Sequence, residues 1–85
     1  MTRERRIHDK LTTALMPTSL VVRDVSNQHH GHAGWRESGE THFEVDIASL
    51  EFEGLTRVAA HRLVNDALAD ELADGLHALQ IRIIR

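Results

Sequence analysis

The sequence predicts an α+β fold of order α-β-β-α-β, a three-stranded mixed sheet with both helices on one face. Three observations carry it. Residues Thr41 to Ala48 alternate strictly between apolar and polar, Ala60 to Leu68 carry an i, i+3, i+4, i+7, i+8 apolar stripe, and His77 to Ile83 alternate again. A strand, a helix and a strand in that order suit a parallel pair joined by a right-handed crossover.

Each element has its own signal. Residues 3–16 place Ile7, Leu11, Ala14 and Leu15 at helical spacing, with Thr2 as N-cap. Pro17 ends that helix, because a residue before proline is pushed out of the helical region. Leu20-Val21-Val22-Arg23-Asp24-Val25 is a β-branched run and reads as a strand. From Ser26 to Glu40 there is no period, and Gly31, Gly34 and Gly39 fall within it, so this is a loop of the length that tends to serve function or lack order. In the next strand Phe43, Val45 and Ile47 face the core, while His42, Glu44 and Asp46 face solvent. Glu53-Gly54 turns the chain into a helix capped by Thr56. Its stripe of Ala60, Leu63, Val64, Ala67 and Leu68 extends through Leu72, and Gly75 stops it. The last strand sets His77, Leu79, Ile81 and Ile83 against Ala78, Gln80 and Arg82.

The 85 residues make one small domain, and with no cysteine the apolar core must hold it without disulfides. No apolar run approaches the roughly 20 residues of a membrane span, and Thr2-Arg3-Glu4-Arg5-Arg6-Ile7-His8-Asp9 is unlike a signal or transit peptide, so a cytoplasmic location without membrane contact is expected. A net charge of −3 argues against general nucleic-acid binding, leaving local basic clusters at Arg3, Arg5, Arg6 and Lys10 and at Arg57 and Arg62. Glu51 and Glu53 lie on an exposed turn, and there is no nucleophile elbow or phosphate loop. An enzyme is not expected.

Seven histidines against no cysteine is the strongest chemical signal. Imidazole is a common transition-metal ligand, whereas thiolates usually complete zinc and iron–sulfur sites. A chain with the first and none of the second can supply half a site and leave the sulfur to a partner. His77 opens the last strand at the sheet rim, where it is either a semi-buried residue satisfied by a backbone carbonyl or held as a ligand on a rigid element. His29, His30 and His32 lie in the long loop and read either as loop polarity or as a metal-binding tract. His42 reads as surface, His8 as an exposed helix residue. His61 sits at the edge of the second helix's stripe beside Arg57, Arg62 and Asn65, as an interfacial residue or part of a basic face for phosphate or an acidic partner.

The stretch GETHFEVDIASLEFEGLTRVAAHRLVNDALADELADGLHALQI closely resembles the BolA family. The match covers the acidic-Thr-His-Phe strand, the Phe52-Glu53-Gly54 turn, the His-Arg-Leu-Val-Asn helix and the His-Ala-Leu strand start; the first helix ending in Leu15-Met16-Pro17 also fits. The resemblance implies a class II KH-like fold, as a single BolA-like domain over residues 1–85 with a long variable loop at 27–40. It also implies partnership with a monothiol glutaredoxin and a shared, bridging 2Fe-2S cluster, with no cofactor when the chain is alone. The glutaredoxin and its bound glutathione would give thiolates. This chain would give His77 and a loop ligand, best matched by His32, with His29 and His30 as rivals. Replacing thiolates by imidazoles removes negative charge and raises the reduction potential. The function so implied is iron–sulfur trafficking or iron and redox regulation. The alternative is a DNA-binding transcriptional regulator using the helix at 56–73, with Arg57, His61 and Arg62. Two departures are that members commonly continue past the third strand, and that the Arg usual before His61 is replaced by Ala60, which thins the basic face. The G-x-x-G nucleotide clamp of KH domains is absent. Alone, the chain is expected as a monomer or a weak homo-oligomer.

Overall fold

A hydroxyl and a proline bracket the first helix, α1 (Arg3–Leu15), in a computed structural model of the protein described for residues 2–26 and 40–85. Thr2 Oγ1 accepts the Arg5 N–H at 3.2 Å, satisfying one of the donors that a helix start leaves without an intrahelical partner. At the other end Met16 takes a left-handed conformation (φ 43°), and its N–H still reaches the Thr12 carbonyl at 3.1 Å. Ile7, Leu11 and Leu15 form the buried stripe. Ala14, on its flank, is exposed rather than part of it.

The strands are β1 (Ser19–Asp24), β2 (His42–Ala48) and β3 (Ala78–Ile83), in the order β1-β2-β3. β2 lies in the middle, antiparallel to β1 and parallel to β3, as the mixed sheet required. Register aligns Leu20 with Ile47 and Ile83, Val22 with Val45 and Ile81, and Phe43 with Leu79. These rows make one apolar face. Against it pack Ile7, Leu11 and Leu15 of α1 and Ala60, Val64 and Leu68 at and beyond the second helix, α2 (Arg57–Ala67). Thr56 caps α2 as expected, its hydroxyl accepting the Ala59 N–H at 3.1 Å. Phe52, in a 3-10 turn over Leu50–Phe52, and Leu76 close the core.

The second helix is not continuous through residue 73, so the face predicted over 56–73 is divided. The backbone departs from helical geometry at Leu68 (φ −105°, ψ 15°), whose N–H is shared between the Val64 and Asn65 carbonyls at 3.1 Å each. A short α3 (Ala69–Ala73) follows in a rotated phase. Leu72, expected to extend the stripe, is therefore 37% exposed, and Glu71 takes the buried position with 4% exposure. Its carboxylate meets Arg3 Nη1 at 2.8 Å, Lys10 Nζ at 2.7 Å and Arg6 Nε at 3.2 Å. Most of the basic cluster predicted near the N-terminus is consumed by this one acid. Arg3 also donates to the Glu71 and Asp74 carbonyls, leaving its Nε without a protein partner among the described residues. Gly75 (φ 103°) permits the reversal that brings the Leu76 N–H to the Glu71 carbonyl at 3.0 Å and starts the path into β3.

The loop assigned to 27–40 lies outside the described residues except for Glu40. Among the described residues no helix is long and apolar enough to cross a membrane.

Candidate functional site

The two described ends of that stretch are tied together. Ser26 Oγ donates to Asp24 Oδ1 at 2.6 Å and accepts the backbone N–H groups of Thr41 at 3.0 Å and His42 at 3.1 Å. One hydroxyl thus uses its proton and both acceptor sites in a buried position. The Val25 N–H reaches the His42 carbonyl at 2.9 Å, and Glu40 Oε1 accepts the Arg3 N–H at 2.8 Å. The Glu40 bond places a carboxylate at the start of α1, where helix donors and dipole both favour it.

His77 is fastened to the same rim. The Thr41 carbonyl accepts the N–H of His77 at 2.8 Å and of Ala78 at 3.1 Å. The strand begins at Ala78, so alternation does not set the direction of His77; its side chain is exposed and its ring lies 5.4 Å from that of His42, tilted by 53°. His42 corrects the sequence reading. It belongs to the polar row with Glu44 and Asp46 but is only 4% exposed, with the His77 ring against it and Nδ1 2.8 Å from Thr41 Oγ1. The semi-buried alternative does not describe His77: the carbonyl bond is made by its backbone N–H, and its side chain is exposed at the rim.

The other predicted residues are dispersed. Arg57 and Arg62 are exposed on α2 and His61 is half-buried between them. His29, His30 and His32 lie outside the described residues. Among the described residues no group of three or more His, Asp or Glu side chains is placed to hold a metal ion. A concavity of about 430 Å³ sits at the opposite end of the sheet, lined by Thr18, Ser49, Phe52, Glu53, Ile84 and Arg85, and brings no imidazole together.

Sequence reasoning missed Ser26, Thr41 and His42. A usable signal was present: pairing the two alternating segments in parallel, Phe43 beside Leu79, sets His42 next to Ala78 and hence near His77.

The rim therefore offers imidazole without thiolate, in a chain that has no cysteine. That donor set fits a shared cluster in which a partner supplies the sulfur. Comparison with known proteins agrees with the architecture. Over 81 residues the chain is 52% identical to Protein BOLA1, chloroplastic, of Arabidopsis thaliana, covering 93% of this chain and 51% of the relative, so it spans about half that protein's length. It is 45% identical over 75 residues to the DNA-binding transcriptional regulator BolA of Vibrio cholerae, covering 88% of this chain and 67% of the relative. The solved BolA domain of SufE1 from Arabidopsis thaliana superposes with a TM-score of 0.87 at 48% identity, covering 98% of this chain and 91% of that one. The family model for BolA-like proteins matches residues 11–84, and the chain belongs to that family.

Proposed function

We propose that this chain is a binding adaptor that pairs with a monothiol glutaredoxin and contributes His77 and a loop histidine, His32 in first place, to a bridging 2Fe-2S cluster. One observation carries the reading: the exposed imidazole of His77 stands on a backbone fixed by Thr41, at the rim where both described ends of the histidine-bearing segment are joined. His32 is six residues from Ser26, and an extended chain spans at most about 3.3–3.6 Å per residue, so the covalent tether allows a loop imidazole to reach the rim. Imidazole ligands would leave the cluster less negative than an all-thiolate one and raise its potential. The role that follows is handling or sensing of iron–sulfur clusters. Mixing the protein with a cluster-loaded monothiol glutaredoxin tests it by visible absorption and circular dichroism. New bands that change in a His77→Ala variant are expected; an unchanged spectrum on mixing would sink the reading.

A second reading is DNA contact through α2, supported by the exposure of Arg57 and Arg62 and by the name of the Vibrio cholerae relative. It requires duplex binding that weakens steeply with salt and is lost in the double Arg57→Ala, Arg62→Ala variant.

A further inference from the structure

We infer that His42 is a positioning residue for His77: its buried ring is a wall that holds the exposed imidazole in one orientation before any partner arrives. The inference rests on the reading of His77 as a ligand.

A single residue, Thr41, fixes both histidines. Its carbonyl takes the His77 N–H, and its hydroxyl meets His42 Nδ1 at 2.8 Å. Thr41 is itself buried and held by Ser26 through its N–H. With the main chain of His77 pinned, only its two side-chain torsions remain free. A ring contact at 5.4 Å with a 53° tilt lies in the range of stabilising aromatic pairs and restricts those torsions. Nothing in a strand's outward-facing row needs a buried histidine, since the neighbouring Glu44 and Asp46 are only half-buried. An imidazole that is already oriented loses less freedom on ligation, which is how supporting residues around ligands act.

Two measurements test this. In the protein alone, ring carbon relaxation should show the His77 ring ordered, in contrast to the exposed His8 ring on α1. In His42→Ala the His77 ring should become as mobile as that of His8, with amide shifts of the β2 core unchanged. Thr41→Val, which keeps the side-chain shape but removes the hydroxyl, should give part of the same loss and keeps the test valid if His42→Ala fails to fold. In the cluster-bridged complex, bleaching by a chelator should be about tenfold faster in His42→Ala, at the low end of what loss of a supporting residue does to metal affinity. The circular dichroism bands should stay in their wild-type positions. Wild-type ring order and bleaching in both variants overturn the inference. Bands displaced in His42→Ala as they are in His77→Ala, with the His77 ring still ordered, also overturn it, because His42 is then a ligand. Unchanged bands in His77→Ala overturn the ligand reading itself, and the ring-order arm still decides the contact between the two histidines.

Discussion

The Glu71 cluster and the Ser26–Thr41–His77 rim are both polar, both largely buried, and both join distant parts of the chain, yet they end differently. Around Glu71 the charges terminate on one another: Arg3, Arg6 and Lys10 from α1 converge on one carboxylate from α3. At the rim the hydrogen bonds run from Asp24 through Ser26 and Thr41 to the backbone of His77, and the side chain at the end is exposed. A polar cluster that closes on itself fixes the position of its elements. One that ends on an exposed imidazole makes that group available to something outside. The two are also coupled: Arg3 gives its backbone N–H to Glu40 at the rim and its side chain to Glu71, whose carbonyl anchors Leu76 just before His77.

Removing the charge at the centre of the closed cluster should have the largest effect on stability. Glu71→Gln leaves the buried Arg3 guanidinium facing two other cations, and losing one partner of a buried ion pair costs about 3–5 kcal/mol. Thermal melting at neutral pH checks it, and a variant as stable as wild type would erase the distinction between the clusters. The same group sets an acid limb. Burial pushes the Glu71 carboxyl up, but hydrogen bonds from Lys10 and Arg6 and their charges outweigh it and hold it below its ordinary value of 4.5. The unfolded chain then takes up this proton first. The stabilisation is present above about pH 4.5 and is lost as pH falls through the lower folded-state value. Melting temperature should fall over that acid range in wild type and fall less in Glu71→Gln.

Ser26→Ala attacks the open cluster with a smaller and more local effect. Two backbone N–H groups, those of Thr41 and His42, lose the Ser26 hydroxyl as acceptor; each one left unsatisfied costs about 1–3 kcal/mol, and less where water at the rim replaces the hydroxyl. Amide hydrogen exchange should quicken at Thr41, His42 and His77 while the middle of α1 keeps its protection. Equal loosening of α1 would mean that the rim is part of the same cooperative unit as Glu71.

The contrast also separates what sequence made legible from what it did not. Period placed α1, β2, β3 and the apolar stripe of α2, because burial on one face imposes spacings of 3.6 and 2 that survive in the sequence, and a β-branched run placed β1. Period brought His77 to the start of β3 but did not give its direction, because the strand begins one residue later, at Ala78. Glu71 drew no reading and His42 was read as surface, because their burial comes from partners far away in sequence. Glu71 turns inward only because the helix rotates at Leu68 and three cations wait 61 to 68 residues earlier. His42 follows the polar phase of β2, and its burial comes with its position at the strand's first residue beside His77. Such positions require the sheet register, which no local window contains.

The outer face of the sheet supplies the weakest case. Arg23 forks to Glu44 at 3.1 Å and to Asp46 at 3.1 Å, distances like those around Glu71, but its side chain is 42% exposed. Hydrogen bonding to Arg23, against some burial, holds the Asp46 carboxyl below its ordinary value of 3.8. In Arg23→Ala that carboxyl should titrate higher, which an NMR titration of Asp46 reads directly. The stability that goes with this shift is present above the ordinary carboxylate value and lost as pH falls through the depressed one. Water screens the pair, so the loss in melting temperature at neutral pH should be smaller than for Ser26→Ala and should shrink in 1 M salt, where the Debye length falls to about 3 Å. More of the Glu71→Gln loss should persist in that salt, because the Glu71 carboxylate and the Arg3 guanidinium are shielded from ions by the fold, although Arg6 and Lys10 are partly exposed. If both losses fade together with salt, then burial is not what distinguishes the two clusters.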